Sequence, residues 1–231
     1  RITTGAVEPF VNAGYPLDAE AILLCESDGT PEEVAEEIER MKTVMQDSGA
    51  SEVRVSQSEV ERVRFWAGRK NAFPAAGRVS PDYYCMDGTI PKRALPRVLK
   101  AIAELSNEYG LRCMNVFHAG DGNLHPLILY DASTPGELAR TEEFGAKILK
   151  LSIEVGGTIT GEHGVGMEKI DSMCYQFASA ELEKFHAVKR AFDEAGLLNP
   201  GKAVPALHRC AEMGRMHVRA GYEKFPHLPR F

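Results

Sequence analysis

The sequence lacks a basic excess and a long apolar run. It has 27 Lys and Arg against 33 Asp and Glu, a net charge of −6. A protein face that binds phosphates normally shows as a basic excess, so nucleic acid is not the expected partner. No apolar run approaches the roughly 20 residues that a membrane span needs, so no integral membrane segment is expected.

Closely spaced cysteines are also missing. The five cysteines form no CxxC pair, so a zinc knuckle, a redox dithiol or an iron–sulfur ligand run is not indicated. Reduced thiols in a cytoplasmic protein fit this usage. The chain opens at Arg1 without an initiating Met or a signal peptide, and reads like the middle of a longer protein.

Hydrophobic periodicity predicts strands and helices in alternation. Strands are predicted at Ala19–Glu26, Glu52–Ser56, Tyr83–Ile90, Leu111–Ala119 and Leu124–Asp131, and helices over 31–46, 58–71, 91–109, 135–155 and 180–195. This order suits an α+β, ferredoxin-like fold with an antiparallel sheet and helices on one face. We expect that domain to span residues 1–195 and a C-terminal helical tail to span 196–231.

The segment around His118 predicts a hairpin. Asp121-Gly122 is a strong signal for a two-residue turn, in which both central residues take positive φ. Such a turn places His118 opposite His125, with Cβ atoms about 4.5–5.5 Å apart. Both imidazoles can then bind one metal ion. The alternative is a cross-strand histidine pair with no function.

A second segment, Gly161–Gly166, places an acid beside an imidazole. Glu162 and His163 are flanked by glycines, which let the backbone turn sharply or approach a ligand. In an extended chain their side chains point in different directions and can take different roles. Two histidines and one carboxylate are a common metal set with open positions for substrate. The alternative is a plain surface loop.

Three motifs together resemble the C-terminal domain of the FAD-linked oxidases. They are HAGDGNLHP at His118–Pro126, GGTITGEHGVG at Gly156–Gly166 and LLNPGK at Leu197–Lys202. This family includes D-lactate dehydrogenases, D-2-hydroxyglutarate dehydrogenases and the flavoprotein subunits of bacterial glycolate oxidases. The segments Ser80–Leu99 and Leu207–Val218 are most similar to the last group. The resemblance implies the cap domain of a vanillyl-alcohol-oxidase-type flavoenzyme, whose N-terminal FAD-binding domain is absent here.

The resemblance also implies a mechanism. His118, His125 and Glu162 match the family's ligands for a divalent metal, and Zn, Mn and Fe all suit such a set. His163 matches the residue that takes the proton from the substrate hydroxyl, a role for a group that titrates near neutrality. The α-hydrogen leaves as a hydride to FAD.

Further positions match substrate and flavin contacts. Arg69 matches the family's substrate-side arginine. A guanidinium binds a carboxylate bidentately, which fits a 2-hydroxy acid; a solvated helix arginine is the alternative. Asn123 would hold the substrate or the flavin, and Asn199 would pack near the flavin, although a turn explains either residue. Cys85 stands where some 2-hydroxyglutarate-type relatives have lysine, which favours a small substrate.

The sequence therefore predicts the substrate-side part of a FAD-dependent dehydrogenase that oxidises glycolate, or D-lactate, to the 2-oxo acid. Without its flavin domain the chain would be inactive. The resemblance implies a second flavin-type subunit and an iron–sulfur subunit as partners, through which a cytoplasmic protein could lie at the inner membrane. Two other classes stay open: a non-catalytic metal- or ligand-binding ferredoxin-like module, and a metal-dependent hydrolase.

Overall fold

The computed structural model describes residues 1–205. Its helices are α1 (Ile2–Val11), α2 (Pro31–Asp47), α3 (Glu59–Lys70), α4 (Ala72–Ala76), α5 (Leu95–Tyr109), α6 (Glu137–Glu154), α7 (Met173–Gln176) and α8 (Ser179–Phe192). Its strands are β1 (Asp82–Cys85), β2 (Gly88–Thr89), β3 (Cys113–His118) and β4 (Asn123–Tyr130), and a short 3-10 helix, Lys92–Ala94, precedes α5. Helices combined with an antiparallel sheet confirm the predicted α+β class.

Strand β4 is the centre of the sheet. Strand β1 pairs antiparallel with residues 127–130 of β4, strand β2 pairs in the same register with residues 123 and 124, and β3 also pairs with β4. The predicted strand Tyr83–Ile90 is therefore two short strands. Between the two pairings β4 carries Pro126, which has no amide hydrogen to donate to the ladder.

Two predicted strands are not formed. Ala19–Glu26 and Glu52–Ser56 belong to no strand in the described chain, and Leu23 in the first segment is 60% exposed. An apolar or alternating run becomes a strand only where a neighbouring edge pairs with it, and the sequence pattern does not contain that information.

Helix α2, between these two segments, begins as predicted. Thr30 Oγ1 accepts a hydrogen bond from the Glu33 amide at 3.4 Å, and the Glu33 carboxylate accepts one from the Thr30 amide at 2.9 Å. This capping box, with Pro31 in the first helical turn, satisfies amide groups that have no partner inside the helix.

The described chain forms two compact units, each assembled from separate stretches. The first unit contains Arg1–Cys85, Ala103–Phe117 and His125–Glu142. Helices α1 and α4 contact each other within it. One core cluster of this unit consists of small and branched apolar side chains: Val7, Ala72, Ala75 and Val116.

The second unit contains Met86–Ile102, His118–Leu124 and the chain from Glu143 onward. Its buried apolar side chains include Val98 and Ile102 of α5, Phe144 and Ile148 of α6, and Leu182 of α8. Residues 196–205, the first part of the predicted C-terminal tail, contain no helix. The rest of that tail lies outside the described residues.

Cys25, Cys85 and Cys113 are free thiols. Within residues 1–205, no helix is both long and apolar enough to cross a membrane.

The connection between β3 and β4 has four residues rather than the predicted two. The His118 carbonyl accepts hydrogen bonds from the amides of Asp121 at 3.1 Å and Gly122 at 3.0 Å. Strand β3 ends at His118 and β4 begins at Asn123, so these two residues flank the turn. His125 lies two residues farther along β4, and the predicted direct opposition of His118 and His125 is wrong.

Contacts distant in sequence explain the longer turn. Gly122 alone has the predicted positive φ, at 75°, and Asp121 does not. The Ile90 amide donates a hydrogen bond to the Gly122 carbonyl at 2.9 Å. A Cβ atom on Gly122 would lie 2.2 Å from the Ile90 carbonyl oxygen. The 90–91 segment thus fixes the turn, and only glycine fits at position 122.

Gly122→Ala should therefore destabilise the protein, by at least the roughly 1–2 kcal/mol that a left-handed conformation costs an L-residue. Gly120→Ala is the matched control, because a Cβ atom there meets no atom within 4 Å. Urea denaturation of both variants gives the free energies of unfolding. Equal losses in the two variants would show that Ile90 does not constrain the turn.

Candidate active site

A cavity of about 310 Å³ lies within the second unit. Its lining residues are Thr89, His118, Asp121, Asn123, Gly161 and Glu162. Three of them, His118, Asn123 and Glu162, are residues for which the sequence predicts a binding role. Pockets for small molecules start at about 300 Å³, so the cavity has room for a small ligand.

Two oxygen atoms in the cavity wall have no hydrogen-bond partner. They are Asn123 Oδ1 and Thr89 Oγ1, and Asn123 is only 7% exposed. A Cβ atom on Gly161 would lie 2.3 Å from the threonine oxygen and 2.6 Å from the asparagine oxygen. Glycine at 161 therefore lets the backbone approach both groups. Because a buried polar atom is costly unless satisfied, these oxygens are placed to bind a ligand's donor or a cation.

Glu162 and His163 form a pair at the surface. His163 Nε2 lies 3.5 Å from Glu162 Oε1, and the two side chains are 47% and 49% exposed. The segment is not extended, so the divergence expected of these side chains in an extended chain does not arise. Its amides turn inward to a single buried acceptor, the carboxylate of Asp87.

The Asp87 carboxylate is fully buried and accepts hydrogen bonds from five groups of the second unit. The donors are Thr160 Oγ1 at 2.6 Å, Lys169 Nζ at 2.9 Å, and the amides of His163 at 2.9 Å, Gly161 at 3.1 Å and Glu162 at 3.2 Å. The Asp87 main-chain carbonyl also accepts the Gly161 amide, at 2.8 Å. The side chain of Asp87 therefore fixes the backbone beneath Glu162 and His163.

These contacts set the charge state of Asp87. Burial alone would raise its pKa, because it disfavours the charged carboxylate. Hydrogen bonds from Thr160, Lys169 and the His163 amide outweigh burial and hold the pKa of Asp87 well below its ordinary value. The group is an anion at neutral pH.

The chemistry of these donors fits a divalent cation. Asp87, Glu162 and His163 each offer a ligand atom, and the three atoms lie within 4.8 Å of one another. Two carboxylates and an imidazole suit Mn, Fe or Zn. Of the two carboxylates, Glu162 lines the cavity, whereas Asp87 is buried and already accepts five hydrogen bonds.

The remaining predicted site residues are His125, Arg69 and Asn199. His125 is buried in β4 of the first unit, where its ring centroid is 6.2 Å from that of Phe73. Arg69 lies half-buried in α3 of the same unit. Asn199 is exposed in a turn with a φ of 44°, and its carbonyl accepts the Lys202 amide. The turn interpretation thus suits Asn199, and its flavin contact stays a prediction.

The sequence pattern did not reveal Asp87, Thr89, Thr160 or Lys169 as site residues. One signal was available: Asp87 is an acid inside an apolar run, where aspartate is depleted from strands. A charge at a buried strand position has to be paired. Its partners are far away in sequence and could not be named from that run.

Comparison with known proteins defines the class. Residues 1–203 match the model of the family described as FAD linked oxidases, C-terminal domain. The chain belongs to this family, as its three motifs had indicated.

Three relatives show the range of the likeness. The chain is 66% identical, over its whole length and 46% of the relative, to the glycolate oxidase subunit GlcD of Escherichia coli strain K12. It is 35% identical to the protein of the same name in Bacillus subtilis, over 85% of the chain and 42% of the relative. It is 32% identical to the D-2-hydroxyglutarate dehydrogenase of Stutzerimonas stutzeri, over 85% of the chain and 43% of the relative. The chain thus spans about half the length of the curated relatives it matches.

The lowered pKa of Asp87 gives a pH dependence with a defined sign. A carboxyl whose pKa is lower in the folded than in the unfolded protein stabilises the fold above the unfolded pKa, about 3.9. That stability is lost as the pH falls through the folded pKa. The excess stability of the wild type over Asp87→Asn should therefore be full at neutral pH and shrink below about pH 4. Urea denaturation across that range measures it, and a constant excess would contradict the assignment.

Proposed function

We propose that this chain is the substrate-side part of a FAD-dependent 2-hydroxy-acid dehydrogenase that oxidises glycolate, or D-lactate, to the 2-oxo acid. The observation that carries the proposal is the Glu162–His163 pair, held over Asp87 beside the cavity of the second unit, in a chain of the FAD-linked oxidase family. Family membership favours this function over a non-catalytic binding module.

His163 acts as the general base. Its imidazole accepts the proton of the substrate hydroxyl as the C–H bond is broken. The carboxylate of Glu162, 3.5 Å from Nε2, stabilises the positive charge that the ring then acquires. Because the imidazole is about half exposed, the proton can afterwards pass to water.

Arg69 and Asn123 orient the substrate. The Arg69 guanidinium binds the substrate carboxylate through two parallel hydrogen bonds. Asn123 presents a buried amide to the cavity, where it contacts the substrate or the flavin. Asn199 contributes a second flavin contact. The modest cavity volume and Cys85, in place of lysine, both favour a small acid.

Two bound groups complete the site. A divalent metal held by His118, His125 and Glu162 would supply positive charge beside the substrate oxygens, and FAD would supply the two-electron acceptor. Of these ligands, His118 and Glu162 line the cavity. Most of the FAD contacts belong to a separate flavin-binding domain.

The partners follow from the relatives. Two of them are named as subunits of glycolate oxidase, and we infer that this protein also works in a complex, with a second flavin-type subunit and an iron–sulfur subunit that receive the electrons. Such a complex would place the protein in the cytoplasm or at the inner face of the membrane.

His163→Ala in the complete enzyme, with its flavin domain, tests the base. Substrate should reduce the flavin about 10²–10⁴ times more slowly, the usual contribution of a general base, while the metal stays bound. Stopped-flow absorbance and metal analysis measure the two effects. His186→Ala is the control, because His186 contacts the Pro205 carbonyl in another part of the unit. Near-normal flavin reduction would remove His163 from this role, and loss of the metal would make it a ligand.

Metal content tests the second part of the proposal. This chain should contain about one equivalent of a transition metal by mass spectrometry, and His125→Ala should lose it, since removing one of three ligands opens the site. His186→Ala should keep it. Retention of the metal by His125→Ala would exclude His125 as a ligand.

A further inference from the structure

We infer that Asp87 is a positioning residue for the reaction: its carboxylate sets the conformation of the Thr160–Gly164 loop and thereby the places of Glu162 and His163. Asp87 lies in the interruption between β1 and β2, and Glu162 and His163 are 75 and 76 residues farther along the chain. The final step of this inference, the effect on metal binding and catalysis, rests on the proposed function.

The loop binds the Asp87 carboxylate through main-chain amides, as an anion site in a protein binds a phosphate. Three successive amides, those of Gly161, Glu162 and His163, converge on one carboxylate at 2.9–3.2 Å. Successive N–H groups in a turn make a concave site for an anion. Here the anion is a side chain of the protein, so the loop conformation depends on one residue.

The hydroxyl of Thr160 closes the loop on itself. It donates to the Asp87 carboxylate at 2.6 Å and accepts the Gly164 amide at 2.9 Å and Lys169 Nζ at 3.3 Å. The first and last residues of the loop are therefore joined through one oxygen atom. Glu162 and His163 lie between these two ends and point outward.

The buried ion pair of Asp87 with Lys169 contributes more to a single defined loop conformation than to the free energy of unfolding. Lys169 is 4% exposed and Asp87 is fully buried. Removing two charges from water costs about as much as their attraction returns, so a buried pair is weak evidence for stability. What the pair determines is geometry, because an ionised carboxylate has about four lone-pair positions and all the donors here compete for them.

The hydrogen bonds to Asp87 also determine how Glu162 and His163 lie relative to each other. With both amides bonded to the same carboxylate, Glu162 and His163 cannot extend, and their side chains meet at 3.5 Å. Without Asp87 the amides lose their acceptor and the pair loses its fixed geometry. Some residues hold a metal ligand or a base in place by hydrogen bonds without touching the metal or the substrate. Mutating such a residue typically changes metal affinity or activity about 10–100-fold.

Amide exchange of the ¹⁵N-labelled chain tests the first step. The amides of Gly161, Glu162 and His163 should be protected in the wild type, and in Asp87→Asn their exchange should accelerate about tenfold or more, as expected when a hydrogen bond to a charged group is lost. Asp193→Asn is the matched control: Asp193 likewise accepts two amides, those of Leu197 and Leu198, at 2.8 and 2.9 Å. In Asp193→Asn the amides of Leu197 and Leu198 should exchange faster, while the amides of Gly161, Glu162 and His163 should stay protected from exchange.

Rescue separates positioning from a general loss of stability. In Asp87→Ala, added formate should occupy the vacated position and restore protection of the three amides. Formate should have no effect on Asp193→Asn at these positions. If Asp87→Ala does not fold, the near-isosteric Asp87→Asn still carries the test. Unprotected loop amides in the wild type would overturn the inference without any variant.

Zn(II) calorimetry on the same chains tests the last step. Affinity should fall about 10–100-fold in Asp87→Asn and stay unchanged in Asp193→Asn. If the wild type binds no Zn(II), zinc is excluded from the metal part of the proposed function, while amide exchange still decides the role of Asp87. Unchanged Zn(II) affinity in Asp87→Asn, with the amides of its loop exchanging freely, would refute the claim that the loop conformation controls metal binding.

Discussion

A carboxylate sealed from water has to find all its hydrogen bonds inside the protein. Asp87 finds them in one loop and one lysine, and the conformation of that loop follows from this requirement. The loop turns inward to supply its amides, Lys169 is buried to balance the charge, and Thr160 joins the ends of the loop. Glu162 and His163 owe their adjacency to the same acceptor.

The sheet prepares the position of that carboxylate. Strand β4 carries Pro126 between its pairings with β1 and β2, and the register is the same on both sides. Asp87 falls in the resulting interruption, where its main chain is released from regular pairing and accepts the Gly161 amide instead. The break in strand pairing at Asp87 thus lets this residue bind the loop that carries Glu162 and His163.

Close backbone contacts then shape the cavity. Gly161 lies against Thr89 and Asn123, and Gly122 lies against Ile90, at distances that a side chain would not permit. These approaches bring His118, Asn123 and Glu162 to one cavity wall from separate parts of the chain. The function proposed for the protein needs such a wall, since a small acid must be held next to a base.

The sequence by itself determined the α+β class, the long helices and the presence of the hairpin, because periodicity, capping and turn signals act over a few residues. It also singled out His118, Asn123 and Glu162, which line the cavity. Features that depend on distant partners were decided by the tertiary structure alone. The segments Ala19–Glu26 and Glu52–Ser56 have strand patterns but no paired edge, and Ile90 selects the four-residue turn. Asp87 finds its donors 73 to 82 residues away. A local sequence pattern limits the conformations that a segment can adopt, and contacts with distant segments determine which of these conformations forms.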